Sequence, residues 1–462
     1  MEDRAIDYLV RACGGTLRGD GTARFRGVST DTRRLEPRQA FFALTGARHD
    51  GHRFLDEARR RGAAALVIER GREVRGEAGC AVVEVASPKA ALGGLAAAWR
   101  REFELHVIAV GGSNGKTTTK ELLASVVSRR FLTLRSPASF NNDVGVPLTL
   151  LQLEASHRAA VLEVGTNHPG ELAPLVRMIR PQVGVVTSVG REHLEYFGTL
   201  EGVAAEEGWL AELIPADGML FVNGDSPLME RVIRRCPAPV VQVGVLPHND
   251  WRGTVRNISH EIMEFRVEAP SPAHCGTYRV ALPGRHQMFN TMLAVAVGAH
   301  LGLSREEVTR GLANCTALPR RMESWMSRGI RVLDDAYNAN ADSVLAALQT
   351  LRDVPCEGRR IAVLGDMAEL GERGPALHAE VGAHAALLKV DQLFAVGRMA
   401  AVVGAAARRA GLMRVLEFAD PAAVVGPVLR FARAGDVVLV KASRVLQLER
   451  VSDALRQASP AA

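Results

Sequence analysis

Three α/β domains, the middle one built around a phosphate-binding loop, are predicted by three observations. The chain has 462 residues, more than one hydrophobic core normally supports. Short apolar, β-branched runs alternate along it with Ala/Leu-rich helical stretches, and the runs end at glycine or polar turns. Finally, Val107-Ile-Ala-Val110 runs directly into Gly111-Gly-Ser-Asn-Gly-Lys-Thr-Thr118: strand, glycine-rich turn and helix start in succession. The pattern divides the chain into residues 1–100, 101–317 and 318–462, with Pro319-Arg-Arg-Met322 near the second boundary.

In the first span, strands are expected over 41–44, 64–68 and 81–85, a polar turn over 46–51, and helices over 54–61 and 89–100. The second opens with the strand at 107–110 and a helix over 117–127, followed by strands at 159–164, 183–187 and 219–223. Residues 250–282 alternate as antiparallel strands do, and 290–301 read as a helix. In the third span, strands opening at Val332, Ile361, Gln392 and Asp436 alternate with helices, which describes a mostly parallel, Rossmann-like sheet.

Composition narrows the function classes. A hydrophobic fraction of 47% with 5% aromatics suits an Ala/Val/Leu-rich α/β protein. The net charge of +6 is modest for this length and favours anionic small molecules at least as readily as nucleic acid. No basic patch interleaved with aromatics points to nucleic acid. Arginine carries most of the positive charge; the five lysines are Lys89, Lys116, Lys120, Lys389 and Lys441. Six scattered cysteines without a CxxC pair fit a reducing compartment and argue against a structural metal centre. No run of about 18 apolar residues occurs, so no membrane span is expected, and the absence of an export segment gives a cytoplasmic expectation.

Five constellations carry chemistry. In the loop, Gly112, Ser113, Asn114 and Gly115 offer backbone N–H groups to phosphates, Lys116 reaches the outer ones, and Thr117, followed by Thr118, is placed to ligate Mg²⁺. Val110 stands where the usual motif has its first glycine. Glu163 ends a strand before a glycine turn, suited either to Mg²⁺ bound to phosphates or to a solvated edge. His193, beyond another strand, is either a metal ligand or a hydrogen-bonded structural residue. The stretch Asp334-Asp-Ala-Tyr-Asn-Ala-Asn340 presents carboxylates and amides that either orient a polar substrate or only shape a local turn. Lys441-Ala-Ser-Arg444 supplies two cations and a hydroxyl after the last strong strand, a phosphate or carboxylate site or a solvated edge.

Taken in order, these motifs make the chain resemble the Mur ligases over essentially its whole length, and within them the branch that adds D-alanyl-D-alanine to UDP-MurNAc-tripeptide. The resemblance implies a UDP-sugar-binding N-terminal domain, a central ATPase domain and a C-terminal Rossmann-like domain that closes over ATP. It assigns the uridine nucleotide to Ser29, Thr30, Asp31, Thr32 and Arg33, with Thr45 and Gly46. It assigns ATP to the loop from Gly112 to Thr118 and to His286, Asn290, Arg321 and Asp335. Asn141, Asn142, Asn338 and Asn340, with Lys441, Ser443 and Arg444, would line the cleft for the acceptor and the incoming dipeptide. Lys116, Glu163 and His193 would be catalytic, with Mg²⁺ on Thr117, Glu163 and His193. Amide formation through an acyl phosphate, by a monomer serving peptidoglycan precursor synthesis, is the implied reaction.

One departure bears on the metal. Most members of the family carry a lysine after the His193 region whose CO₂ adduct helps hold a second Mg²⁺, and Glu207 stands at that position here, with Glu206 as its neighbour. Glu207 either replaces that anionic ligand through a shifted helix or a water, or leaves the second ion more weakly held, or is simply a helix residue. Gly111 in place of the usual threonine and Gln287 in place of an asparagine are smaller changes. The rival readings are another ligase of the superfamily, diaminopimelate- or lysine-adding or a folate polyglutamate ligase, and a catalytically silent nucleotide-binding partner. The Asp335–Ser343 stretch speaks against the diaminopimelate-adding branch, whose Asp-Asn-Pro-Arg signature is missing.

Overall fold

The computed structural model describes residues 1–46, 49–74 and 80–457; residues 47 and 48 of the predicted 46–51 turn lie outside them. Three sheets organise the chain. The N-terminal sheet contains β1 (Thr16–Arg18), β2 (Val28–Ser29), β3 (Ala40–Phe42), β4 (Ala65–Glu69) and β5 (Ala81–Val85), in the order β1-β5-β4-β3-β2. Only β1 runs antiparallel, against β5. Phe42, Val67 and Val83 are fully buried in one core and Phe41, Leu66 and Ile68 in another, so both faces of this small sheet are covered, as parallel pairing requires.

Helix α1 (Pro88–Arg100) leads into the central sheet. Ser87 caps it through the Ala90 amide and Pro88 occupies its first turn, so it starts one residue before its predicted position. The central sheet has nine strands: β6 (His106–Gly111), β7 (Thr133–Arg135), β8 (Ala159–Glu163), β9 (Val183–Val186), β10 (Met219–Asn223), β11 (Val240–Gly244), β12 (Trp251–Ile258), β13 (Met263–Glu268) and β14 (Gly276–Val280). Their order is β14-β13-β12-β11-β10-β9-β6-β8-β7. Strands β6 to β11 pair in parallel. The predicted antiparallel strands continue this same sheet, joined by a parallel β11–β12 pair. Met263, Phe265, Val267, Tyr278 and Val280 are buried in a core with Met288, Met292 and Leu293 of α4 (His286–His300), which explains the period-2 pattern of 250–282. Helix α2 (Lys116–Val127) packs on α4.

The C-terminal sheet contains β15 (Glu323–Ser327), β16 (Ile330–Asp334), β17 (Arg360–Gly365), β18 (Gln392–Val396), β19 (Val415–Phe418) and β20 (Val437–Lys441), ordered β15-β16-β20-β17-β18-β19. All pairs are parallel except the β15–β16 hairpin. The order turns from β20 to β16 on one side and β17 on the other, and ligand crevices form at such a switch, off the carboxyl ends of the strands. At the opposite, amino end, Asp436 is held by Arg359 Nη2 (2.7 Å) and by the Arg433 amide (2.8 Å), an arrangement that serves the sheet alone. Among the described residues all six cysteines are free, and no helix is long and apolar enough to cross a membrane.

Candidate active site

The carboxyl ends of β6, β8 and β9 face those of β16 and β20 across a cavity of about 670 Å³. The phosphate loop is its floor. Gly115 has φ +85°, a left-handed backbone that favours glycine, and a Cβ there would strike the side-chain amide of Asn290. Asn290 is itself fixed by donating to Gln287 Oε1 (2.9 Å). Not all the loop amides point at the cavity. Gly112 N–H donates to Glu207 Oε2 (2.7 Å), Ser113 N–H to Ser188 O (2.8 Å) and Asn114 N–H to Ser188 Oγ (2.9 Å). The amides of Lys116, Thr117 and Thr118 precede the first helical acceptor pair, Thr119 N to Gly115 O, and are the ones placed to meet an anion.

Lys116 Nζ lies 3.2 Å from Ser113 O and 3.5 Å from Glu192 Oε2. Burial alone would lower its pKa, but Glu192, Glu207 and Glu163 outweigh burial and raise it, so the ammonium form is secure. Glu192 is pushed up by burial, against the pull of Lys116. Glu192 carries no sequence signal; its burial is visible only in three dimensions. Glu163 Oε1 accepts from Asn141 Nδ2 (2.8 Å), while Oε2 is buried without a protein partner on the cavity wall. His193 has φ +49° and bonds through Nδ1 to Glu369 of the opposite domain. Its Nε2 is 3.8 Å from Glu192 Oε2, and burial lowers its pKa below the ordinary value despite Glu369, which favours neutral imidazole.

These groups fit a divalent cation on one side only. Thr117, Glu163 with its free oxygen, and His193 with Nδ1 held by a carboxylate are the donor types for such an ion. Among the described residues no three His, Cys, Asp or Glu side chains form a ready-made cage. A hard cation here would therefore take most of its oxygens from phosphate and water, the usual state of Mg²⁺ at nucleotides. Glu207 is not part of this wall. It is 1% exposed, spends Oε2 on the Gly112 amide behind the loop, and does not line the cavity. The path of its helix brings Glu207 to the rear of the loop, with Oε1 buried and without a protein partner.

The opposite wall carries Asp335, Asn338 and Asn340 as expected. Lys441 Nζ donates to Asp335 Oδ2 (2.6 Å) and Asn338 O (3.0 Å). Asn340 caps the helix α5 (Ala341–Asp353) by accepting from Ser343 N–H (2.9 Å), and its Nδ2 donates to Asn114 Oδ1 in the phosphate loop (3.0 Å). That stretch thus shapes a local turn and also lines the cavity. His286 and Arg321 line the cavity, as do Asn141 and Asn142. Burial drops the pKa of His286 to about 4. Arg321 lies on the face of Tyr337, 3.9 Å from the ring centroid, and Tyr337 OH meets Ser139 Oγ (2.5 Å).

Two residues expected in the cleft are elsewhere. Ser443 Oγ accepts from Ala368 N–H (2.7 Å) and donates to Ala339 O (3.2 Å), tying two loops together. Arg444 pairs with Glu449 (2.9 Å) on the outer side. The uridine-assigned residues also stand apart from the cavity, in the N-terminal domain. Ser29 Oγ accepts from Asp31 N–H (3.2 Å), and Asp31 Oδ1 accepts from the Arg33 amide (3.0 Å) while its carboxylate pairs with the Arg33 side chain. Thr32 Oγ1 donates to Glu57 (3.0 Å), Thr45 Oγ1 lies 3.3 Å from Asp50 Oδ1, and Gly46 N–H donates to His49 O (2.8 Å). Thr30 is half-buried between them.

Nucleotide loop, carboxylates, imidazole and a facing amide-rich wall between two α/β domains define an ATP-using enzyme of the ligase type. Comparison with known proteins agrees. Sequence profiles described as Mur ligase family, catalytic domain, Mur ligase middle domain, and Mur ligase, glutamate ligase domain match residues 24–100, 110–298 and 320–444. The chain belongs to the Mur ligase family. It is 34% identical over 455 residues to the UDP-N-acetylmuramoyl-tripeptide–D-alanyl-D-alanine ligase of Bacillus subtilis, with 98% of both chains covered. It is 34% identical over 465 residues to the enzyme of that name from Escherichia coli, again over 98% of both. Among solved structures, MurF from Acinetobacter baumannii superimposes with a TM-score of 0.89 at 29% identity, covering 99% of this chain and 100% of that one. MurF ligase from Thermotoga maritima in complex with ADP matches at 0.82 and 26% identity, covering 94% of this chain and 97% of that one.

Proposed function

We propose that the chain joins D-alanyl-D-alanine to the peptide carboxylate of UDP-N-acetylmuramoyl-tripeptide with cleavage of ATP to ADP and phosphate. The observation that carries this reading is the end-to-end similarity to ligases of that name, 98% of both chains, together with one cavity that gathers loop and facing wall. A carboxylate oxygen is a poor leaving group, so the acceptor must first be activated. One of its oxygens attacks the γ-phosphorus and the bond to the β-phosphate oxygen breaks, giving an acyl phosphate and ADP. The dipeptide amine then attacks the acyl carbon, the carbon–oxygen bond to phosphate breaks, and the amine proton leaves with phosphate.

Lys116 neutralises charge on the phosphoryl group in transfer, and the amides at the start of α2 hold the phosphates. Thr117, Glu163 and His193 would hold Mg²⁺, which would supply further positive charge to phosphate oxygens. Asn141 fixes the Glu163 carboxylate, and Glu369 fixes the ring of His193. Asp335, Asn338 and Asn340, with His286, Asn290 and Arg321, bind the nucleotide and the incoming dipeptide, Lys441 holding their wall in shape. Residues 29–33, 45 and 46 hold the uridine nucleotide in the N-terminal domain. Closure of the two domains over the cavity would keep water from the acyl phosphate. Phosphate release from ATP, measured with the tripeptide nucleotide and D-alanyl-D-alanine each supplied or omitted, tests the reading. Sustained release is expected only with both present; faster turnover with diaminopimelate and the dipeptide nucleotide would overturn it.

A further inference from the structure

The phosphate loop has a support on its rear side, away from the cavity lining. Helix α3 (Leu200–Glu212) runs behind the loop and sends Glu207 into its back. The Glu207 carboxylate receives the Gly112 N–H at 2.7 Å with almost no exposure to solvent. Residue 111 decides whether it can do so. A Cβ built on Gly111 would stand 3.1 Å from Glu207 Oε2 and 3.1 Å from Leu210 Cδ2, tighter than ordinary van der Waals contact. The missing side chain at 111 and the carboxylate at 207 are therefore two halves of one fit.

We propose that Glu207 is a positioning residue for the phosphate loop, fixing the Gly112 amide from behind in space that exists because residue 111 has no side chain. Three consecutive amides of the loop are held from the protein side: Gly112 by Glu207, Ser113 by Ser188 O and Asn114 by Ser188 Oγ. The last two anchors come from the end of β9 and the first from α3, so Glu207 supplies the only one of the three that another element contributes. With these amides fixed, the turn at Gly115 presents the first turn of α2 and Lys116 at one set position. A loop bound on only one side must be ordered by the nucleotide itself, and that ordering is subtracted from affinity. Burial raises the pKa of Glu207 to about 7, against the pull of Lys116 and of the Gly112 amide.

The inference rests on the ATP-dependent ligase reading, and its test separates the two. ADP affinity is measured by calorimetry with EDTA present, alongside KM for ATP and kcat in the full reaction with Mg²⁺. Glu207→Gln keeps an oxygen for the Gly112 amide and is expected to hold metal-free ADP within about threefold of wild type. Glu207→Ala leaves a buried amide unpaired and is expected to weaken metal-free ADP and raise KM for ATP on the order of tenfold, with kcat less affected. Gly111→Ala, which displaces the same carboxylate without altering it, is expected to act in the same direction. Adding it to Glu207→Ala should cost nothing more, because contacting residues are not additive. Should Glu207→Ala not fold, Gly111→Ala alone decides: weakened metal-free ADP supports the support role, and unchanged affinity overturns it. The inference also falls if Glu207→Ala binds metal-free ADP as wild type does, if Gln is as damaging as Ala, or if the double variant is additive. A wild-type protein that binds ADP but forms no amide would instead sink the ligase reading and leave the loop contact standing.

Discussion

Lys116 keeps its charge in a confined site because three carboxylates surround it, and that crowding is also what makes it indispensable. Without it, the acidic side chains of Glu163, Glu192 and Glu207 would face a polyphosphate with no cation among them. Lys116→Ala should therefore lower turnover by about a thousandfold, in the range seen for loss of a transition-state charge partner. The fold should survive, because Glu192, already raised by burial, can take up a proton when its cation is gone. Near-normal phosphate release by this variant, with an unchanged near-ultraviolet circular dichroism spectrum, would remove the loop from the catalytic account. Residues of this kind were legible in the sequence because their signal is local: glycine turns and strand ends announce Lys116, Thr117, Glu163 and His193. Arg444 and Ser443 carried the same sort of signal, yet one turn of backbone sends them outward to Glu449 and sideways to Ala339. Glu192 gave no signal, since a glutamate in a loop looks the same buried or exposed.

At the scale of elements, the segment between β7 and the following helix shows what hydrophobic periodicity does not encode. Lys120, in the second turn of α2, is fully buried, and its Nζ donates to Ser136 O (2.8 Å) and Ala138 O (2.8 Å) while pairing with Glu121. It holds Ala138 at φ +44°, a left-handed conformation that costs an alanine energy. From there the chain presents Ser139 to Tyr337 and Asn141 to Glu163. The lysine thus ties the nucleotide helix to the wall proposed for the acceptor. Lys120→Met should destabilise the protein by about 3 kcal/mol, since a buried pair is broken and two carbonyls lose their donor. It should raise KM for the tripeptide nucleotide more than KM for ATP; equal rises would reduce Lys120 to a structural residue. The strands that were predicted lie within about two residues of their observed bounds, because parallel strands buried on both faces leave continuous apolar runs, whereas β7 and β11 were not predicted. The helix containing Glu207 could be counted, but which side of the loop it faced depended on how α3 packs, and that is a tertiary fact.

For the whole molecule, the question is what holds the central and C-terminal domains against one another. A set of polar contacts lies at the cavity rim, beside apolar packing and ion pairs such as Arg285–Asp353 and Arg331–Glu261 away from it. Arg191 meets Asp342 (2.6 Å) and Glu380 (2.7 Å), Asn340 meets Asn114, Tyr337 meets Ser139, and Glu369 meets His193. Arg191, Asp342 and Glu380 are invisible as a group in sequence, because their partners are more than 150 residues apart. Each pair is partly exposed and so contributes little alone, about 0–1 kcal/mol. Arg191 serves both carboxylates at once, and losing it leaves two acidic groups of the C-terminal domain without their shared cation. A combined loss of about 1.4 kcal/mol would lower the ratio of closed to open molecules roughly tenfold. Arg191→Ala should then raise the radius of gyration measured by small-angle scattering without nucleotide and raise KM for D-alanyl-D-alanine several-fold. High salt should move wild type in the same direction, as these charges are near enough to solvent to be screened. The effect should reach the chemistry through His193, because opening the domains takes Glu369 away from its ring. Scattering curves that coincide for wild type and Arg191→Ala at low salt would show that apolar packing, and not this arginine, sets the closed arrangement.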